Sequence, residues 1–502
     1  MAVTLVLSIF IVLVILYFFL TKNYKYWQKR GIPCPDRALP GVGHFWEVTT
    51  QKITVSEWCC RIYNAYRDRS MVGIYNFMTP TLMVCEPELV KRVLQTSFTN
   101  FHENGLKIDP KLDPLLANNP FFTYGEKWMT GRKRLTYAFS SMRLKILLET
   151  VKQVCQTFEG YLDKKIDKAG KVELELKELF SRFTSQVVSG AGFGVDGLSF
   201  NEEKEKDSFY AMGKSFLNST VLNNIIFILV FFIPPLGKIF KARFLPKKAD
   251  QFFRTIIADI MEQRRKEATP RNDFLQLMSD LERIEGDKFN LEILTSHAVS
   301  FFVDGYETSS SVLSFIGFHL ASNPKVQEKL REEVMSVLNK YDGVITYEAL
   351  KDMTYMDQVI NESMRILPTL GFLSKVCTEE TELRGSDGLV CRVERGMYIM
   401  ISISGLQTDP RYWENPEEFD PDRFGPDRKH NIKKFTFLPF GEGPRMCVGM
   451  RMAQLQMKAC LTTFLRKYSI ELSPKTQLPL KMIPSTFLTN AEGGLWSIIQ
   501  PI

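Results

Sequence analysis

The chain has 502 residues, enough for one large domain or about three of ordinary size. With 45% hydrophobic and 24% charged residues it is neither disordered nor fibrous, and its length buries enough surface to fold without disulfides or metal staples. The net charge is +7, yet no basic tract interleaves with aromatics, so nucleic acid is not an expected partner.

Residues 2–20 carry no charge and are mostly Leu, Ile, Val and Phe. At the rise of a helix they span about 28 Å, one hydrocarbon core. Lys22, Lys25, Lys29 and Arg30 follow the run and none precedes it, which favours an uncleaved single-pass anchor over a cleaved signal and leaves the rest facing the cytosol. Residues 21–40 then form a basic linker stiffened by Pro33, Pro35 and Pro40, and residues 41–502 form the body.

In the body, residues 72–77 and 81–85 read as a β-hairpin. Apolar positions recur at helical intervals from Val151 to Ile166 and from Phe253 to Ile260. Residues 192–197 match GxGxxG, but no acid follows at the right distance, so a dinucleotide fold is not expected. The apolar run 225–233 is too short to span a bilayer; it is either a buried helix or a loop dipping into the membrane. A helix is expected over 324–340, with Asn323 as its cap and Pro324 at its first position, and a strand over 398–404. The fold class is mainly α with a minor β region. The nine cysteines include no CxxC pair and read as reduced thiols.

The chemistry concentrates in residues 440–449. There a glycine-containing loop delivers Cys447 into a helix expected from Met450 to Lys467. Backbone N–H groups at a helix start favour an anion, which places Cys447 to be a thiolate; Arg445 can meet an anionic group beside it. Three further patterns precede this loop. Trp128 and Arg132 form WxxxR, Glu362 and Arg365 form ExxR with Arg423 following, and Asp304 to Ser309 contains Glu307-Thr308.

Phe440, Gly443, Arg445, Cys447 and Gly449 reproduce FxxGxRxCxG, and the chain thereby resembles the cytochrome P-450 superfamily, most closely its insect microsomal, xenobiotic-metabolising members. The resemblance implies a P-450 catalytic domain behind one N-terminal transmembrane helix in the endoplasmic reticulum. It implies haem b, with Cys447 as the axial iron ligand and Trp128, Arg132 and Arg445 at the propionates. It also implies a buried triad of Glu362, Arg365 and Arg423. Thr308 and Glu307 would supply protons while one atom of dioxygen enters a lipophilic small molecule. Electrons would come from an NADPH-dependent reductase, with cytochrome b5 as a second donor and Lys127, Lys133, Arg134, Lys433 and Lys434 as a docking face. An apolar substrate pocket is expected from Leu115, Leu116, Phe121, Phe301, Asp304, Leu370, Phe372, Leu373, Phe487 and Leu488. Asp304 departs from the family pattern, which has alanine or glycine there; a carboxylate so placed either anchors a polar substrate group or pairs locally. The rival readings are a haem-thiolate isomerase or dehydratase, a haem sensor, and a cysteine hydrolase. The hydrolase needs a histidine partner that the five histidines do not supply in any recognisable motif.

Overall fold

The computed structural model describes residues 1–166, 170–217, 220–266, 271–286, 289–484 and 488–502. The uncharged N-terminal run forms the helix Ala2–Thr21, none of whose residues is buried. Among the described residues it is the one helix long and apolar enough to cross a membrane. The connector behind it is fastened to the body. Trp27 is fully buried, its indole N–H donates to the Ile74 carbonyl at 2.9 Å, and its ring lies where any Cβ on Gly73 would fall.

The expected hairpin forms as β1 (Met71–Asn76) and β2 (Thr79–Val84), paired antiparallel. The remaining strands are β3 (Glu103–Asn104), β4 (Val172–Glu175), β5 (Phe372–Val376), β6 (Thr381–Arg384), β7 (Val390–Val393), β8 (Tyr398–Ser402), β9 (Tyr468–Leu472) and β10 (Trp496–Pro501). They make a five-stranded sheet in the order β1-β2-β8-β5-β3, a three-stranded sheet β4-β10-β9 and the pair β6-β7. β8 ends two residues earlier than expected because the Ser402 hydroxyl accepts the Gly405 N–H at 3.1 Å and caps the short helix Ile403–Gln407.

Helices make up most of the body. Leu291–Ser322 is the longest, a single α-helix that accommodates Gly305 without interruption. It packs against the helices Leu176–Val188, Thr354–Ile366 and Met450–Leu465. Helix Pro324–Lys340 has the expected bounds, but Asn323 caps it by position only: its side-chain amide donates back to the His319 carbonyl at 2.8 Å. Gly194, in the left-handed region at φ 68°, closes the π-turn Ser189–Phe193 at the end of helix Leu176–Val188. The GxGxxG segment therefore serves as a helix end with no strand before it. The run 225–233 satisfies both of its readings. In helix Val221–Phe231, Phe227, Val230 and Phe231 are buried, whereas Val221, Leu222 and Ile225 are exposed together with Leu236, Ile239 and Phe240 just beyond. All nine cysteines are unpaired.

Glu362 and Arg365, three apart on helix Thr354–Ile366, are fully buried and paired through two bonds of 2.7 and 2.8 Å. Arg423, from the turn Pro421–Phe424, reaches the same carboxylate at 3.2 Å. The spare guanidinium protons go to backbone carbonyls, those of Gln407 and Pro416 from Arg365 and that of Asn415 from Arg423, at 2.8–3.0 Å. One carboxylate thus holds the segment 407–424 against the helix. Replacing Glu362 with alanine leaves two buried cations without a counter-charge and is expected to cost about 3–5 kcal/mol, read as a lower urea midpoint of the detergent-solubilised protein.

Two buried histidines make stability depend on pH. Burial holds the imidazoles of His297 and His319 down, to about 4 and about 3. Below about pH 6.5 the unfolded chain binds protons that the folded chain refuses until those lower values, so stability falls as pH falls through that window, by up to about 1.4 kcal/mol per pH unit for each group. The urea midpoint is expected to drop between about pH 6.5 and 4, and to drop less in His319→Gln.

Candidate functional site

The loop before helix Met450–Leu465 is shaped by its backbone. The Cys447 N–H donates to the Phe440 carbonyl at 2.8 Å, the Met446 N–H to the Gly443 carbonyl at 3.0 Å, and the Gly441 N–H to the Leu438 carbonyl at 3.0 Å. Gly443 has φ 76°, and a Cβ there would lie 2.0 Å from the Leu94 carbonyl oxygen, so only glycine fits. Phe440 packs against the main core cluster, and the N–H groups of Gly449 and Met450 point at the Cys447 sulfur. Cys447 keeps accessible surface although protein encloses it on nearly every side, so that surface faces an internal cleft.

The helix start does not suffice to make Cys447 a thiolate. Burial pushes the thiol up; the Gly449 and Met450 N–H groups and the Arg132 charge pull it down, and the charge of Asp304 pushes it up further. The net shift is upward, because removing a sulfur anion from water costs more than two amides and one guanidinium return. A metal cation would reverse this balance.

Arg132 and Trp128 lie on helix Gly125–Ala138. Arg132 donates to the Met446 carbonyl, tying that helix to the Cys447 loop. Arg445 donates to the carbonyls of His102, of Pro120 at 3.0 Å and of Thr123 at 2.8 Å, and lies over the Trp128 ring at 4.4 Å. Lys375 on β5, which sequence reasoning missed, is buried with its ammonium donating to Asn104 at 2.7 Å. Burial, then the charge of Arg445, holds Lys375 down to about 7; burial, opposed by Glu103, holds Arg445 down to about 10; burial lowers Arg132 as well. Among the described residues none of these three cations forms an ion pair. A buried cation group satisfied only by neutral acceptors is suited to an anionic ligand. With the enclosed sulfur, it fits a haem whose iron meets Cys447 and whose propionates meet the cations.

Across the cleft, Thr308 and Asp304 share one side of the long helix. The Thr308 hydroxyl donates to the backbone carbonyl of Asp304, the ordinary bond of a threonine inside a helix. Glu307 does not join it: buried against helix Leu176–Val188, it pairs with Lys177 at 2.9 Å, and Asn490 lies 3.5 Å from its other oxygen. Asp304 does pair locally, receiving the Asn119 side-chain amide at 3.0 and 3.3 Å. Burial pushes its carboxyl up to about 7, with the Asn119 bond opposing.

The expected pocket lining divides. Phe121, Leu370, Phe372 and Leu373 line one cavity together with Asn104, Leu106 and Ser374. Leu488 is half-buried beside them, because the neighbouring Thr489 bonds to Thr369 and Pro368. Leu115 and Leu116 lie instead inside a packed cluster with Leu135 and Phe253, since loop closure over the long helix buries them outright. Phe301 is turned the same way, stacked on Phe274 at 4.6 Å and Phe139 at 5.9 Å. Phe487 lies outside the described residues. In the expected docking face, Arg134 is buried, pairs with Glu285 and covers the Phe289 ring, so it offers no charge to a partner. Lys433 pairs with Glu88 at 2.9 Å.

Comparison with known proteins agrees with this geometry. The family model described as "Cytochrome P450" matches residues 33–498. Cytochrome P450 9e2 of Blattella germanica is 32% identical over 97% of this chain and 96% of its own length. Probable cytochrome P450 28d1 of Drosophila melanogaster is 33% identical over 97% and 96%, and cytochrome P450 6j1 of Blattella germanica 32% identical over 98% and 96%. A cysteine loop opposite a threonine-bearing helix, with such matches along nearly the whole length, makes the chain a member of the cytochrome P450 family, the haem-thiolate monooxygenases.

Proposed function

We propose that the protein is a microsomal monooxygenase that inserts one atom of dioxygen into a lipophilic small molecule, a xenobiotic or an endogenous lipid. It would use haem b and electrons delivered from NADPH by a membrane-bound reductase. The observation that carries this reading is the enclosed Cys447 sulfur, with backbone amides aimed at it and Thr308 on the helix across the cleft. Thiolate-ligated haem supplies dioxygen activation, the thiolate pushing electron density that favours O–O cleavage.

The side chains have separable tasks. The Gly449 and Met450 N–H groups hold negative charge on the sulfur. Arg132, Arg445 and Lys375 hold the propionates, with the Trp128 indole N–H as a further donor. Thr308 Oγ1 gives up its bond to the Asp304 carbonyl and presents its proton to the cleft. Glu307 takes part in proton supply once it leaves Lys177. Phe121, Leu370, Phe372, Leu373 and Leu488 guide an apolar substrate and exclude water; Phe487 lies in the same stretch of chain.

The helix Ala2–Thr21 anchors the chain in the endoplasmic reticulum membrane with the body facing the cytosol, as the basic residues after it favour. The exposed apolar residues Val221, Leu222, Ile225, Ile239 and Phe240 rest in the same lipid. Lys127, Lys133, Lys433 and Lys434 form the face for the reductase and for cytochrome b5. Thr308 favours monooxygenation over isomerisation without dioxygen, a reaction that needs no delivered proton.

The test is turnover of full-length protein in vesicles with an NADPH-dependent reductase, a panel of lipophiles and isotopically labelled dioxygen. One labelled oxygen per product molecule, with NADPH required, is expected. Rearranged products without label, or turnover without NADPH, would contradict the proposal.

A further inference from the structure

Asp304 stands on the cleft side of the long helix, on the turn that carries Thr308. Its side chain keeps accessible surface, although protein surrounds it, so it opens on the cleft that Cys447 faces, and its charge acts on that sulfur. Its one side-chain partner is neutral. The orientation of Asn119 is fixed, because its side-chain oxygen accepts the Phe121 N–H at 2.7 Å and leaves its amide nitrogen for Asp304. That single nitrogen lies 3.0 and 3.3 Å from the two carboxylate oxygens, which together offer about four acceptor positions, so acceptor capacity remains. Thr308 uses the Asp304 backbone carbonyl and not the carboxylate.

Glu307, three residues on, makes the contrast. It is buried too, and Lys177 neutralises it at 2.9 Å. Among the described residues no Lys, Arg or His forms an ion pair with Asp304, and the cations Arg132, Arg445 and Lys375 are engaged with Met446, with loop carbonyls and with Asn104. A carboxylate in a poorly solvated space without a cation is an unfavourable arrangement that a cationic ligand relieves. Burial holding its carboxyl up to about 7 expresses the same deficit.

We infer that Asp304 is a specificity-determining residue that selects lipophilic substrates carrying a cationic amine, its carboxylate pairing with the substrate's ammonium group while the apolar remainder lies along Phe121 and Leu373. This rests on the haem-thiolate reading of the cleft and names the substrate class within it.

The test uses haem-loaded full-length protein and follows the shift of haem absorbance on ligand binding, above neutral pH. The probes are phenylbutyltrimethylammonium, which cannot ligate iron, the same molecule with carbon in place of nitrogen, and phenylbutanol. The charged probe is expected to bind about tenfold more tightly than either neutral probe, and Asp304→Asn to abolish that preference while leaving the affinity for the neutral probes unchanged. An equal preference in both proteins, or phenylbutanol binding as tightly as the cation, would overturn the inference. Asp304→Ala replaces Asp304→Asn if the latter loads no haem. The reduced carbon monoxide difference spectrum of each sample separates the two claims. Without a thiolate signature in the unsubstituted protein, both the proposed function and this inference fall; with it, an unchanged preference removes the inference alone.

Discussion

A sulfur that must carry negative charge sits where burial opposes ionisation, and much of the structure answers that conflict. The amides of Gly449 and Met450 help only if the loop holds its shape. That shape is fixed by the Cys447 to Phe440 backbone bond and by Gly443 lying against the Leu94 carbonyl. Support then runs backward through Gln407. Its side-chain oxygen accepts the Leu438 N–H at 2.9 Å, at the start of the loop, and its backbone carbonyl accepts Arg365 at 3.0 Å. The ion network of Glu362, Arg365 and Arg423 is therefore two hydrogen-bonded links away from the cysteine loop. A buried ion network adds little net stability but penalises every arrangement that breaks it, which suits a part whose task is positional.

Charge around the cleft is sorted by side. Cys447 and Asp304 contribute negative charge facing inward, while Arg132, Arg445 and Lys375 gather at one edge. The loop 119–123 links the two sides: Asn119 holds Asp304, and the carbonyls of Pro120 and Thr123 hold Arg445. One short segment thus fixes both a group at the cleft's helix wall and a cation beside the cysteine loop. The wall on which Thr308 sits and the edge that meets an anion cannot shift independently.

Much of this was legible in the sequence, for reasons that differ by residue. The anchor, the hairpin and helix Pro324–Lys340 follow from local composition and turn chemistry, and they appear within a few residues of expectation. The Cys447 loop and the Glu362-Arg365 pair were legible because their spacing is short and the residue types are unusual together. The direction of a side chain on a helix packed on every side was not legible. Phe301, Glu307 and Thr308 occupy one helix, yet Phe301 and Glu307 turn away from the cleft, because Phe274 and Lys177 on other helices receive them. Partners supplied by distant loops were invisible for the same reason. Nothing near Asn119 announces Asp304, 185 residues away, and nothing near Gln407 announces Leu438. Lys375 left a trace, a lysine within the strand Phe372–Val376, which in an otherwise largely apolar strand signals a charge with a task.

The account turns on the sulfur of Cys447 ligating haem iron, and a single comparison addresses it. The reduced carbon monoxide difference spectrum of full-length protein should show the thiolate-ligated haem signature. Cys447→Ser, prepared and loaded in the same way, should lack it, whether or not it retains haem. A variant that kept the signature of the unsubstituted protein would show that the iron is held by another residue, and the reading of the cleft given above would be wrong.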